Sequence, residues 1–173
     1  MILKIAGAVL VCLSSTLLGL YFASLDSFRA SDLNEWKKAL LILRSQIAFA
    51  AVPLPEAMST AAERVGAQVS KALAEFAEQL SNRDSADIYT TWRKTLHENT
   101  RGSYLKSEDW EWLGDFGKTL GFLDKAMQLN SIDMTISYLD GKTKMLSAQS
   151  EKNRKMFGSL GILGGMLTVV ILV

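Results

Sequence analysis

The sequence predicts an all-α protein, a bundle of about six helices flanked by an N-terminal and a C-terminal transmembrane helix. Three observations lead to this fold class. Apolar residues recur at steps of three and four, which is the spacing of one helix face. No stretch alternates apolar and polar residues as a half-buried strand does. Two long uncharged runs, residues 5–25 and 156–173, lie on either side of the amphipathic region.

The charges are confined to the middle of the chain. All 18 acidic residues, and all of the 19 basic ones except Lys4, lie within residues 26–155, so that segment is formally neutral. A neutral segment of about 130 residues suits a single core and gives no sign of a nucleic-acid-binding surface. The single cysteine, Cys12, excludes an intramolecular disulfide and a cysteine-based metal site.

The two uncharged runs are predicted to cross a membrane, because an apolar helix of roughly 20 residues spans the hydrocarbon core of a bilayer. The predicted domains are a transmembrane anchor at 1–25, a helical domain at 26–155 and a transmembrane helix at 156–173. The alternative for the first run is a cleavable signal peptide, but the run is longer than the apolar region of such a signal. Lysine and arginine residues cluster on the central side of both runs, so the central domain is expected to be cytoplasmic.

The first helix of the central domain is predicted from one apolar face. Pro53 and Pro55 end this helix, because a residue that precedes proline is pushed out of the α region. Pro55 also suits the first turn of a second helix, where its missing N–H group costs nothing. Leu54, between the two prolines, is expected to insert into the core. The apolar face comprises Leu33, Trp36, Leu40, Leu43, Ile47 and Ala50.

Four further helices are predicted after the second. The fourth is expected to be capped by Asp84 or Ser85, and the fifth to begin at Ser107 with acidic residues in its first turn. The sixth runs from about Asp124 toward the second uncharged run, since no proline interrupts it. The apolar faces of helices three and four are Val69, Leu73, Phe76 and Leu80, and Ile88, Trp92 and Leu96. Those of helices five and six are Trp110, Leu113, Phe116 or Gly117, and Leu120, and Leu129, Ile132, Ile136, Leu139, Thr143 and Leu146.

Two features imitate catalytic sites, and a structural interpretation fits each of them better. The stretch from Gly114 to Thr119 resembles the end of a phosphate-binding loop, but it lacks the first glycine of that motif and a preceding strand. Close packing of helices at Gly114, Gly117 and Gly121 explains its glycines. His97 is the only histidine, so a serine–histidine or cysteine–histidine nucleophile pair would depend on this one residue. Its expected place is the C-terminal end of the fourth helix.

An acidic cluster in the fifth helix is the remaining candidate for a metal site. It consists of Glu108, Asp109, Glu111 and Asp115, and acidic runs of this kind are usually solvated surface. The sequence therefore predicts no catalytic residue, no cofactor and no bound metal. The four tryptophans are predicted to be core residues, with Trp112 as the expected exception.

Glycines in the second uncharged run predict helix–helix packing inside a membrane. Gly161 and Gly165 form a GxxxG pair, which Gly158 and Gly164 extend. Small residues at this spacing let a second helix approach closely. Because the pattern also arises by chance, the sequence leaves open whether this helix associates with a specific partner.

Two segments resemble motifs of the stage III sporulation protein AB family of endospore-forming bacteria. Residues 47–57, IAFAAVPLPEA, are similar to the second and later positions of that family's EI-x-Y-G-x-T-P-L-P-E-A. The family's LG-x-x-D-x-x-x-Q is matched by Leu120, Gly121, Asp124 and Gln128.

The resemblance extends over essentially the whole chain. Lys155 and the glycines that follow it match the family's basic entry to a C-terminal span, and the plan of two spans around a helical domain matches as well. Departures occur at Gln46, where the family usually has glutamate, and at Ala50 and Val52, which replace glycine and threonine.

This resemblance implies a mother-cell membrane component of the channel-like complex between mother cell and engulfed forespore. The cytoplasmic domains of the family are similar to those of platform proteins in type II secretion and type IV pilus machines. The implied partners are an ATPase encoded in the same operon, other membrane subunits of the channel and membrane lipid. Homo-oligomerisation, ring symmetry, the face that contacts the ATPase and what is transported stay open.

Three functional hypotheses follow for the chain. The first is a non-enzymatic membrane platform of a sporulation channel. The second is a platform of a secretion or pilus machine, although such proteins normally have two helical domains and three spans. The third is a membrane-bound enzyme or signalling protein, which requires a polar site for which this sequence offers only isolated candidate residues.

Overall fold

The computed structural model of the chain describes residues 2–50, 52–82, 87–120 and 124–172. Within these ranges the side chains of residues 2–6, 8–9, 11–12, 23, 158, 160–162 and 165–172 are outside the description. The described residues contain helices and no strand, which confirms the predicted all-α class. The α-helices are α1 (Ile2–Ser45), α2 (Leu54–Ala62), α3 (Ala67–Ser81), α4 (Ile88–Asn99), α5 (Ser107–Phe116) and α6 (Lys125–Leu172).

The chain divides into two compact units, one formed by Met1–Ala30 with Lys144–Val173 and one formed by Ser31–Thr143. Among the residues that the structure describes, no helix combines the length and apolar character that a membrane crossing requires. The transmembrane helices predicted at 5–25 and 156–173 therefore have no support from the structure. Both runs include positions whose side chains lie outside the described part of the chain.

The first unit contains an antiparallel pair of helical segments. Asn153 Nδ2 of α6 donates a hydrogen bond to Asp26 Oδ2 of α1 at 3.1 Å. Gly19 of α1 and Phe157 of α6 form a second contact between the same two segments. A Cβ atom added at Gly19 would lie 3.7 Å from Phe157 Cβ, an ordinary van der Waals distance. The glycine thus lies directly against the phenylalanine side chain of the other segment.

The core of the unit Ser31–Thr143 is built around Trp92. Its side chain is only 1% exposed, and its ring makes edge-to-face contacts with Trp36, Phe76 and Phe116 at centroid distances of 6.0, 5.0 and 5.9 Å. Such aromatic pairs stabilise a core beyond the area that they bury. The Trp92 indole N–H donates to the Leu113 carbonyl at 2.6 Å. This bond satisfies a carbonyl of the last turn of α5, where helix ends leave acceptors unpaired.

The predicted apolar face of the first helix is confirmed from Leu33 to Ile47, which are both buried. Ala50, the last predicted member of that face, is exposed. The cause is a π-helical turn at Gln46–Ala50, directly after α1. A π-turn contains more residues than an α-turn, so the positions that follow Ile47 rotate away from the core.

Ion pairs join α1 and α6 within the same unit. Arg44 Nη2 donates to Asp133 Oδ2 at 3.0 Å, and Lys37 Nζ donates to Asp140 Oδ1 at 3.0 Å. Arg44 lies seven positions after Lys37 on α1, whereas its partner Asp133 lies seven positions before Asp140 on α6. The two helices are therefore antiparallel in this unit.

The cap of α4 differs from the prediction. Asp84 and Ser85 lie outside the described residues, and the cap is Asp87 instead. The Asp87 backbone is extended, and its carboxylate accepts hydrogen bonds from the Thr90 hydroxyl and from the amides of Thr90 and Tyr89. These bonds hold the pKa of Asp87 below its usual value, because they favour the ionised carboxylate.

The start of α5 at Ser107 is confirmed, but the serine does not cap it. Lys106 occupies the cap position, and its backbone N–H donates to Asp109 Oδ2 at 2.9 Å. Asp109 is fully buried and closes the first turn in the manner of a capping box.

Candidate interaction site

The Pro53–Pro55 turn separates α1 and α2 as predicted. Pro53 has an extended backbone and caps α2, with its carbonyl accepting from the Ala57 amide at 3.0 Å, and Pro55 lies in the first turn. Leu54, which the sequence places in the core, is half-buried rather than fully buried. As the first residue of α2 it has neighbours on one side only, and the buried positions of this helix begin at Ala57 and Met58.

An aromatic residue is strongly exposed just before this turn. Phe49 belongs to the π-helical turn Gln46–Ala50, and 84% of its side chain is exposed, whereas Ile47 of the same turn is buried. Single π-helical turns occur frequently at functional sites. An aromatic side chain with this exposure offers a large contact area to a partner protein.

The second motif segment meets the first at this turn. Lys125 Nζ, at the start of α6, donates to the Ala48 carbonyl at 2.8 Å. Asp124 caps α6, since its Oδ1 accepts from the Ala126 amide at 2.9 Å and its carbonyl from the Gln128 amide at 3.1 Å. We call the surface formed by 46–50, 53–55 and 124–128 the motif surface.

The sequence pointed to parts of this surface but not to the residues that join it. Leu120 of the second motif is buried, and Gly121 lies outside the described residues. The sequence does not indicate the contact made by Lys125, because its acceptor is a backbone carbonyl far away in the chain. Phe49 gave a weak signal, since it is a large apolar residue that does not lie on the apolar face of its helix.

The stretch from Gly114 to Thr119 is not a phosphate-binding loop. It forms the end of α5 and a 3₁₀ turn at Gly117–Thr119, with no strand before it. Its glycines allow close packing, as predicted: a Cβ added at Gly117 would lie 2.2 Å from Trp92 Cδ1, and one at Gly114 would lie 3.5 Å from Arg93 Nε. Gly121 is outside the described residues.

Three of the four acidic residues of α5 have separate partners. Glu108 pairs with Lys142 at 2.7 Å, Asp109 forms the capping box, and Asp115 pairs with Lys118 at 2.7 Å. The hydrogen bond to Asp115 raises the pKa of the Lys118 ammonium. Within the described ranges, no three histidine, cysteine, aspartate or glutamate side chains converge as a metal site needs.

His97 and Trp112 lie where the sequence predicted them. His97 is exposed in the last turn of α4, with its ring 5.8 Å from that of Trp110. Trp112 is 42% exposed and stacks on Tyr138 at a centroid distance of 4.4 Å.

The glycines predicted to pack in a membrane, Gly158, Gly161 and Gly165, belong to α6, and their surroundings lie outside the description.

Comparison with known proteins relates the whole chain to one family. The family model described as stage III sporulation protein AB matches residues 4–173. Stage III sporulation protein AB of Bacillus subtilis (strain 168) is 29% identical over 170 residues, which cover 98% of this chain and 99% of the relative. A solved structure of a stage III sporulation protein AB superposes with a TM-score of 0.63 and 27% identity, over 71% of this chain and 96% of that one. A match of this extent, together with the two motif segments that meet beside the Pro53–Pro55 turn, shows that the chain belongs to the stage III sporulation protein AB family.

Proposed function

We propose that this protein is a non-enzymatic membrane platform of the sporulation channel, and that its motif surface contacts the ATPase of that complex. The observation on which the proposal depends is the exposed ring of Phe49, held on a surface where two motif segments meet. The name of the family places its members in sporulation and includes no enzymatic activity.

The membrane part of the proposal depends on the two uncharged runs at 5–25 and 156–173. Their length suits a bilayer, and all basic residues except Lys4 lie on the central side. The proposed location is the mother-cell membrane that faces the forespore, with residues 26–155 in the cytoplasm. Other membrane subunits of the channel would contact the spans.

A platform of a type II secretion or type IV pilus machine has less support. The sporulation relative and this chain match over nearly their entire lengths, whereas the machine platforms have two helical domains. A membrane-bound signalling protein has less support still, because Glu108 and Asp115 of α5 pair with lysines within the fold and Asp109 caps its first turn.

A single exchange at the motif surface tests the proposal. Phe49→Ser removes an exposed ring and is expected to leave the fold intact, while reducing sporulation and cross-linking to the ATPase. Leu41→Ser is the matched control, since Leu41 is an exposed apolar residue of α1 outside the motif surface. Normal sporulation and normal cross-linking of Phe49→Ser would contradict a role of this surface in the ATPase contact.

A further inference from the structure

A groove of about 830 Å³ lies between α4 and α5 and shares no residue with the motif surface. Three cationic side chains, those of Arg93, Lys94 and Arg101, line it and are exposed. Glu111 is the only carboxylate among the described residues of its lining. The groove therefore has an excess of positive charge, although residues 26–155 as a whole are neutral.

The charges of the groove are not neutralised inside the fold. Lys37 and Lys142 pair with carboxylates, but in the described part of the chain neither Lys94 nor Arg101 forms an ion pair. Arg93 donates to the Tyr89 hydroxyl at 2.9 Å, a neutral acceptor. An anionic ligand would therefore gain a favourable interaction with each of these cations.

The floor of the groove is apolar and aromatic. Leu96 is buried beneath it, and the half-buried ring of Trp110 lies beside His97 on its α5 side. A concave site with cationic walls and an apolar floor suits a ligand that presents carboxylates around one apolar side chain. The flat surface of a membrane is a poorer match to this concave shape.

We propose that this groove binds an acidic segment of a partner protein. Its carboxylates would lie opposite Arg93, Lys94 and Arg101, and one apolar side chain would contact Leu96 and Trp110. The inference does not depend on the proposed platform function, because it follows from the charge and shape of the groove alone.

The test uses the full-length protein in detergent micelles and a short fluorescein-labelled peptide with glutamates on both sides of one phenylalanine. Fluorescence anisotropy measures binding at about 0.15 M salt, an ionic strength that screens weak surface attraction between distant charges. Two matched peptides replace the glutamates by glutamines or the phenylalanine by alanine. Both replacements are expected to weaken binding.

Charge reversal then locates the site. Lys94→Glu with Arg101→Glu is expected to weaken binding of the acidic peptide by roughly tenfold or more, because repulsion replaces attraction. Arg64→Glu with Lys71→Glu makes the same change of charge at exposed residues outside the groove and is expected to change affinity by less than about twofold. Circular dichroism checks the fold, and Lys94→Gln with Arg101→Gln replaces the first variant if it does not fold.

Several results would overturn the proposal. Equal losses in the two charge-reversal variants would reveal a general attraction for acidic peptides rather than a site. Undetectable binding to the unmodified protein, or equal binding of the glutamine peptide, would exclude an acidic ligand. Vesicles of anionic lipid that bind through Lys94 and Arg101, while the peptide does not bind, would assign the groove to membrane contact instead.

Discussion

At the scale of single residues, Gly117 determines how closely the turn after α5 approaches the core. A Cβ atom at this position would lie 2.2 Å from Trp92 Cδ1 and 2.8 Å from Trp92 Cγ. The Trp92 ring is buried and bonded to the Leu113 carbonyl, so it has no room to retreat. We expect Gly117→Ala to lower the free energy of unfolding by about 1–3 kcal/mol, as overpacked cores do. Urea denaturation of the purified protein measures this loss.

Gly114→Ala is the control for this prediction. An added Cβ at Gly114 would lie 3.5 Å from Arg93 Nε, an ordinary contact with a flexible and exposed side chain. Because alanine is also the better helix former, the free energy of unfolding is expected to stay unchanged or to rise by about 1 kcal/mol at most. Equal destabilisation by both alanines would mean that the distance to Trp92 is not the cause.

Asp32 is expected to make stability depend on pH. Burial raises the pKa of its carboxyl group, and the hydrogen bond that it accepts from the Tyr104 amide at 2.8 Å opposes this only in part. An acid whose pKa is higher in the folded than in the unfolded state binds more protons when folded. Stability is therefore lost as pH rises from about 3.9, the unfolded value, through the folded pKa.

The substitution Asp32→Asn tests this effect, because asparagine keeps an acceptor for the Tyr104 amide but does not ionise. We expect the melting temperature of the variant, relative to that of the unmodified protein, to rise as the pH increases above about 4. Thermal unfolding followed by circular dichroism at several pH values measures the difference. A difference that is independent of pH would exclude the buried carboxyl as the cause.

At the scale of the elements, α2 contains one half-buried and one fully buried apolar side chain whose contributions to stability can be compared. Met58 is fully buried, and Met58→Ala is expected to cost about 2–5 kcal/mol through lost contacts and a cavity. Leu54 at the start of α2 is half-buried, so Leu54→Ala is expected to cost about 1–2 kcal/mol. Urea denaturation of both variants compares them. If Leu54→Ala is as costly as Met58→Ala, Leu54 is part of the core in solution.

The helices were predictable because their apolar spacing is local information. The spacing of Leu33 and its successors predicts a buried face that the structure confirms as far as Ile47. It fails at Ala50, since a π-helical turn shifts the phase without any mark in the sequence. The sequence favours Asp84 or Ser85 over Asp87 as the cap of α4, because several polar residues precede this helix and only the backbone conformation selects one.

The contacts between distant segments were not predictable from spacing. The pairing of Arg44 with Asp133 joins residues that are 89 positions apart, and that of Lys125 with the Ala48 carbonyl joins residues 77 positions apart. Many other pairs of the same chemistry exist in the chain, and only the packed fold chooses among them. The candidate site was found because family motifs indicated the segments, not because side-chain chemistry marked them.

At the scale of the whole molecule, the proposed topology places residues 26–155 in the cytoplasm and both ends on the opposite side of the membrane. Basic residues such as Lys152, Arg154 and Lys155 lie on the central side of the second run, where the positive-inside rule expects them. Reporter fusions within 31–143 are therefore expected to give a cytoplasmic signal. Degradation of this region by protease added to intact protoplasts would contradict the orientation.

Substitution of the glycines in the second run distinguishes membrane insertion from assembly of the proposed complex. Gly161 and Gly165 are one helical turn apart on one face of α6, and close packing at small residues drives association inside a bilayer. Gly161→Leu with Gly165→Leu is expected to keep the protein in the membrane fraction, because leucine favours insertion, but to block assembly and late sporulation. Gly7→Leu is the control, since Gly7 lies in the first uncharged run and an added Cβ there meets no described atom within 4 Å. If the double variant sporulates normally and still co-purifies with its partners, the glycines face lipid, and the cytoplasmic helices alone provide the specificity of assembly.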